Sequence, residues 1–258
     1  MALFRTLPQV YTWGSGSAAK RVRPRWMRSG DGRGTLATEV GLESSQLGAV
    51  EVIREVPVPV RATGDPQVLG WLVFVVGSTC LGLELVGFVN QGALGAPLAI
   101  IFGATAFGLM VSAVWAAYLG QTFVAGAFGV FCGFWISYTG LVLGLTHNWF
   151  GIAALTKTDS GVVKGTVLAF LLAWAITMAL LTLATVRLPM AYTVDVALVD
   201  AALWILFIAN NADDPTGLTK VAGVVVFVFA AIGAYIWLSA ADQSLGGPGY
   251  PLGSPLRQ

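Results

Sequence analysis

Residues Leu85–Thr156 read LVGFVNQGALGAPLAIIFGATAFGLMVSAVWAAYLGQTFVAGAFGVFCGFWISYTGLVLGLTHNWFGIAALT. None of these 72 residues is Asp, Glu, Lys or Arg. About a quarter of the residues in a soluble domain are charged, so this stretch indicates a hydrocarbon environment. It is too long for one crossing of about 20 residues, and turn-forming residues interrupt it at 90–92, 97, 120–122 and 147–148. We therefore predict the end of one transmembrane helix, two full helices and their turns.

The whole chain has the composition of a membrane protein. It has 258 residues, of which 56% are hydrophobic and 10% are charged, and its mean hydropathy is +0.78. The length rule for membrane helices gives apolar spans near 67–89, 98–119, 122–146, 162–186, 190–210 and 219–241. The sequence thus predicts an all-α polytopic membrane protein with a six-helix domain over 64–242 and a short C-terminal tail over 243–258.

Residues 1–63 form a basic N-terminal tail. They hold nine of the fourteen Lys and Arg residues against five of the thirteen acids, so the tail carries a net +4 and the remainder −3. A Gly- and Arg-rich arm beside a membrane domain is expected to be disordered or to lie on anionic lipid headgroups, and we expect no nucleic-acid partner. An even number of spans puts both termini on one side. The basic tail favours the cytoplasmic side of a plasma (inner) membrane.

The third span has two distinct faces. Small residues recur every four positions on one side, at Ala125, Gly129, Gly133 and Ser137, and aromatic residues occupy the other, at Phe128, Phe131, Trp135 and Tyr138. The small ridge would allow close helix packing in lipid. The aromatic stripe is typical of a lipid-facing or core-packed surface, and it would equally suit a hydrophobic constriction that lines a conduit.

The predicted spans contain three acidic residues. Glu84 lies in the first span, and Asp195 and Asp200 lie in the fifth. Ionisable groups in a bilayer usually face water or a polar partner. Asp200 is nearest mid-span, so it could relay protons or be a carboxyl kept neutral by burial. Asp195 lies about 140° away on the helix and near the span boundary, which favours a structural carboxyl that is either kept neutral by burial or hydrogen-bonded to Ser, Thr or backbone.

The sequence contains no motif that would support enzymatic activity. The sequence contains no nucleotide-binding loop, nucleophile triad or metal-ligand cluster, and His147 has no second ligand nearby in the sequence. We therefore expect no enzyme activity, no cofactor and no metal.

Two motifs resemble those of a known family. At the start of the first span the family reads Asn-Pro-Ala-Pro-Leu-Gly-Leu with a Phe three residues later, and this chain matches it at Pro66, Leu69, Gly70 and Phe74. Between the second and third spans the family has Gly-Asn-Thr-Phe, then a Phe and then Phe-Trp. This chain has Gly120-Gln121-Thr122-Phe123, Phe128 and Phe134-Trp135 at the same spacing, with Gln121 in place of the Asn. Asn210 also falls into place. From Asp65 to Gly253 the chain resembles the acetate uptake transporter family, whose bacterial type is the succinate–acetate permease.

The resemblance implies a fold and an activity. It implies six helices around a central conduit in each protomer, assembly into a homohexamer, and passage of acetate, and in some members succinate, together with protons. The family's narrowest point carries over to Phe74, Phe131 and Val199, where Phe131 replaces a Tyr. Glu84 replaces a His of the bacterial permease, and Asp200 adds a second acid, so these two are the candidate proton-coupling residues.

Two classes of function stay open at this point. The first is a transporter or channel for small monocarboxylates. The second is a non-transporting membrane sensor, or a pathway for a neutral or cationic solute such as ammonia, because a fixed negative charge beside the path would repel acetate.

Overall fold

The computed structural model describes residues 64–89, 95–151 and 160–257. The basic tail and the predicted turn at 90–92 lie outside these residues. The described chain contains six helices long and apolar enough to cross a membrane. They are α1 (Gln67–Leu85), α2 (Gly95–Ile100 and Phe107–Tyr118, joined by a π-helical segment Ile101–Ala106), α3 (Thr122–Thr146), α4 (Ser160–Thr185), α5 (Met190–Asn211) and α6 (Thr216–Ser244).

The helices alternate in direction, so the bundle has two ends. We call the end where α1 begins and α6 ends the terminal face, and the opposite end the loop face. At the terminal face the Trp237 indole N–H donates to the Val68 carbonyl at 2.9 Å, and the Tyr192 hydroxyl donates to Gln67 Oε1 at 2.8 Å. These bonds join the first turn of α1 to the end of α6 and the start of α5.

The predicted spans are confirmed, with small differences at their ends. The first helix stops at Leu85 instead of residue 89 because Gly87 takes a left-handed conformation (φ +82°), which ends a helix. The last helix begins at Thr216 and ends at Ser244, which is longer than its apolar window. Hydropathy alone misses such polar helix ends, since a helix can continue beyond the hydrocarbon region.

Two family-motif residues have local structural roles. The Asp65 carboxylate accepts the Gln67 backbone N–H at 2.9 Å, so it caps α1 as the family's Asn side chain could. Gly120 is left-handed (φ +75°), and the Gly120 and Gln121 N–H groups donate to the carbonyls of Ala117 and Ala116 at the end of α2. This glycine-dependent turn allows α3 to begin at Thr122.

The C-terminal segment packs against the terminal face. The Leu252 carbonyl accepts the Ala191 N–H at 2.9 Å, and the Pro251 carbonyl accepts the Tyr235 hydroxyl at 2.9 Å. The Arg257 N–H donates to the Val186 carbonyl at 3.0 Å. The segment therefore covers the start of α5 and ties it to α6.

The outer surface of the bundle is apolar. Long side chains such as Val114, Leu180 and Leu183 are each more than 60% exposed. A surface of this kind is stable in a hydrocarbon solvent and would aggregate in water. The protein is a multi-pass membrane protein.

Candidate solute pathway

A cavity of about 200 Å³ lies among five of the six helices. Side chains of α1, α3, α4, α5 and α6 line it, and they are almost entirely apolar. It extends toward the loop face, where Leu85, Leu145 and Asn210 belong to its wall. Its polar lining comes from the hydroxyl of Tyr138 and the amide of Asn210, whose Nδ2 donates to the Leu206 carbonyl.

Aromatic rings pack tightly at the other end of this cavity. Phe74 and Phe131, both buried, have ring centroids 5.0 Å apart in an edge-to-face arrangement. Phe229 of α6 lies 5.8 Å from Phe74, and Val199 of α5 also lines the cavity. All three residues carried over from the family line this cavity, and we call Phe74, Phe131 and Val199 the aromatic layer.

The aromatic stripe of α3 faces the inside of the protomer. Phe131, Trp135 and Tyr138 line the cavity, while Phe128 lies nearer the terminal face beside Trp71, at 6.2 Å between ring centroids. The small-residue ridge has mixed surroundings. A Cβ added at Gly129 would meet nothing within 4 Å, whereas one at Gly133 would lie 3.5 Å from the Trp174 ring. The structure therefore places the aromatic stripe in the core of the protomer, next to the cavity, and not on the lipid-facing surface.

Glu84 is not part of the cavity wall, but its carboxyl contacts a residue that is. The Tyr138 hydroxyl donates to Glu84 Oε2 at 2.8 Å, and Glu84 Oε1 is buried without a hydrogen-bond partner among the described residues. Tyr138, which lines the cavity, thus binds the Glu84 carboxyl directly, and this hydrogen bond links α1 to α3.

The two acids of α5 have very different surroundings. Asp200 is half-buried and is not part of the cavity wall. Asp195 is 0% exposed, and neither of its carboxyl oxygens has a hydrogen-bond partner within the described parts of the chain. Of the two structural alternatives for Asp195, the hydrogen bond to Ser, Thr or backbone is absent among the described residues, and burial remains. The Thr193 hydroxyl donates to the Thr185 carbonyl at 2.8 Å.

The remaining motif residues act through packing. Gly70 and Trp135 are buried, whereas Phe123 is 40% exposed on the outer surface. Pro66 and Leu69 belong to the first turn of α1, where the Pro66 carbonyl accepts the Gly70 N–H at 3.0 Å. The motif residues Phe74, Phe134, Trp135 and Asn210 line the cavity, whereas Gly70 and Phe123 do not.

A family model matches residues 48–244, and its description is GPR1/FUN34/yaaH family. The chain belongs to this family. The match covers the six helices, and it confirms the resemblance seen in the sequence motifs.

Characterised relatives and a solved structure agree with this assignment. The acetate transporter protein patA of Aspergillus clavatus is 25% identical over 209 residues, which cover 77% of this chain and 81% of that protein. The patA protein of Penicillium expansum is 27% identical over 190 residues, which cover 69% and 72%. The structure of the bacterial acetate channel SatP superposes with a TM-score of 0.63 over 74% of this chain and 100% of that one, at 18% identity. This last likeness shows that the two proteins share a fold.

Sequence reasoning missed two residues of the aromatic core. Phe229 contacts Phe74, and Trp71 packs edge-to-face on Phe74 at 5.5 Å and lies 5.8 Å from Tyr192. Phe229 lies on a helical stripe of α6 whose buried members are Ala222, Val226, Phe229, Gly233 and Ile236. That spacing would have identified the inner face of α6.

Proposed function

We propose that this protein passes acetate and similar small monocarboxylates across the membrane together with protons. The observation that carries the proposal is the apolar cavity that ends at the aromatic layer, in a chain of this family. Two relatives named as acetate transporters and a shared fold with an acetate channel support the choice of substrate.

The lining of the cavity favours a protonated substrate. Its wall offers few hydrogen-bond donors, so a bare carboxylate entering it would lose hydration without compensation. Acetic acid carries no net charge, and a volume of about 200 Å³ accommodates a molecule of this size. A proton that travels with acetate would therefore lower the energetic cost of passage. The apolar wall is our reason for proposing coupling to protons.

Selectivity would arise at the aromatic layer. Phe74 and Phe131 leave little room between their rings, and Phe131 offers no hydroxyl to a passing carboxylate. Such a constriction selects by size and by dewetting. We propose acetate as the main substrate of this protein. Succinate would bring a second carboxylate to the same apolar layer, so we expect it to pass more slowly.

The sequence offers Glu84 and Asp200 as candidate proton-coupling residues. Of the two we propose Glu84, because its carboxyl accepts a hydrogen bond from Tyr138 of the cavity wall. Asp200 is not part of the cavity wall.

Assembly and location form the last part of the proposal. Gly129 of the α3 small-residue ridge, and Gly126 one turn before it, face open space in the protomer, so a neighbouring copy could pack closely there, in keeping with a homohexamer. The basic tail supports a plasma (inner) membrane location with both termini in the cytoplasm.

The proposal predicts acetate uptake that responds to a proton gradient. Purified protein in liposomes should take up labelled acetate faster than protein-free liposomes, and an inward proton gradient should raise the difference. The protein-free control is essential because acetic acid also crosses lipid unaided. If the two kinds of liposome took up acetate at equal rates under both conditions, the proposed function would be wrong, and a sensor or an ammonia pathway would replace it.

A further inference from the structure

Asp195 lies on the same stripe of α5 as the cavity wall. At about 100° per residue, the wall residues Val199, Ala202, Leu203, Leu206 and Asn210 span an arc of about 100°, and Asp195 falls within this arc. Asp200 is about 140° from Asp195 and lies outside the arc. The inner face of α5 thus carries a carboxyl one turn before Val199, about 6 Å closer to the terminal face.

On the neighbouring helices α1 and α3, an aromatic residue likewise lies about one turn from the aromatic layer toward the terminal face. Trp71 precedes Phe74 by three residues in α1, and Phe128 precedes Phe131 by three in α3. The Trp71 indole N–H is buried and has no hydrogen-bond partner among the described residues. This level of the bundle therefore holds an unpaired acid and an unpaired donor, whereas nearly all other buried polar groups in proteins are paired.

No charged side chain in the described chain compensates Asp195. Neither of its carboxyl oxygens has a hydrogen-bond partner among the described residues. On the helices packed against α5, Glu84, Lys164 and Lys220 lie at the loop-face ends. At the terminal face the Asp242 carboxylate accepts the Gly249 N–H at 2.8 Å. The remaining titratable groups of α5, of these helices and of the adjoining α3, turns and terminal segments are Asp65, Cys80, Cys132, Tyr138, His147, Arg187, Tyr192, Asp200, Asp213, Asp214, Tyr235, Tyr250 and Arg257.

We propose that Asp195 is a proton-carrying residue of the transport path, placed on the terminal side of the aromatic layer. This inference rests on the proposed function and adds a residue to it. An isolated ionised carboxylate is costly in this surrounding, so Asp195 holds a proton when the path is empty. Acetate that reaches it accepts this proton from the Asp195 carboxyl onto a carboxylate oxygen, while the Trp71 N–H donates to the other oxygen.

The proton balance gives one proton for each acetate. Neutral acetic acid passes between Phe74 and Phe131 into the apolar cavity, and the Asp195 carboxylate regains a proton from water at the terminal face. The reverse direction runs through the same steps. Because Asp195 is 0% exposed, acetate reaches it only when the contact between Trp71 and Tyr192 opens.

Asp195→Asn and Asp200→Asn form a matched pair for the test. Both remove one carboxyl from the same helix, five residues apart, and the second is off the path. In proteoliposomes corrected for protein-free uptake, Asp195→Asn should lose the stimulation of acetate uptake by an inward proton gradient and flatten the pH profile. Asp200→Asn should keep the wild-type ratio of uptake with and without the gradient. Asp195→Ala should show the same loss, and it replaces Asp195→Asn in the test if that variant does not insert into the membrane.

The outcomes separate the two proposals. Wild-type protein without acetate flux overturns the proposed function. Wild-type flux with unchanged gradient stimulation in the Asp195 variants overturns the role of Asp195 alone. Equal loss in the Asp195 and Asp200 variants also overturns it, since a purely structural effect would not distinguish two acids by their position relative to the path.

Discussion

Replacing Gly70 with Ala should destabilise the helix bundle. A Cβ at this position would lie 2.5 Å and 2.7 Å from Cε2 and Cε1 of Phe128, closer than any real contact. Phe128 is 4% exposed and packs against Trp71, so its ring has no free space to move into. Overpacking of this kind costs about 1–3 kcal/mol. The Gly70→Val variant should cost more. The melting temperature of the purified protein in detergent measures the effect.

A matched glycine gives the opposite expectation. Gly165 is exposed on α4, and a Cβ there would meet nothing within 4 Å. Gly165→Ala should keep or raise the melting temperature, because Ala favours the helix by roughly 0.5–1 kcal/mol. If both variants melted at the wild-type temperature, the close approach of α1 and α3 would be wrong.

Shortening Phe74 should widen the proposed path at the aromatic layer. Phe74 is 2% exposed and contacts Trp71, Phe131 and Phe229, so Phe74→Ala creates a cavity and costs about 3–5 kcal/mol of stability. Larger acids should then pass. We expect the ratio of butyrate to acetate uptake to rise about tenfold or more, since each methylene of misfit in a close-fitting pocket is worth roughly 10–200-fold.

Phe170→Ala is the control for this change. Phe170 lines the wide part of the same cavity, so its truncation should leave the butyrate-to-acetate ratio near the wild-type value. An equal rise in both variants, or in neither, would show that Phe74 does not set the size limit.

The architecture could be predicted from the sequence because the membrane imposes simple rules. A helix must be long and apolar to cross lipid, so six spans could be placed within a few residues of α1 to α6. The ends were less accurate, since Gly87 stops α1 through its backbone conformation and not through hydropathy. The motifs at Gly70 and Gly120 were sufficient for the family, which the match over residues 48–244 confirms.

The site was harder to predict because hydropathy does not show how each helix is rotated about its own axis. Asp200 attracted attention as the acid nearest mid-span, yet Asp195 lies on the cavity-facing stripe and Asp200 does not. Only the positions of Val199, Ala202 and Leu206 reveal which side of α5 faces inward. Contacts between distant spans, such as Tyr138 with Glu84, also require the folded bundle.

The central claim is that the cavity between α1, α3, α4, α5 and α6 is the path of acetate, and Ala202→Phe tests it most directly. Ala202 is 4% exposed and lines the cavity, so a benzyl group there would fill much of its volume of about 200 Å³. The adjacent Ala201 is not part of the cavity wall, and Ala201→Phe adds the same group elsewhere. Initial rates of labelled acetate uptake should fall to the protein-free level for Ala202→Phe and stay near wild type for Ala201→Phe. A wild-type rate in Ala202→Phe, at equal protein content, would contradict the claim.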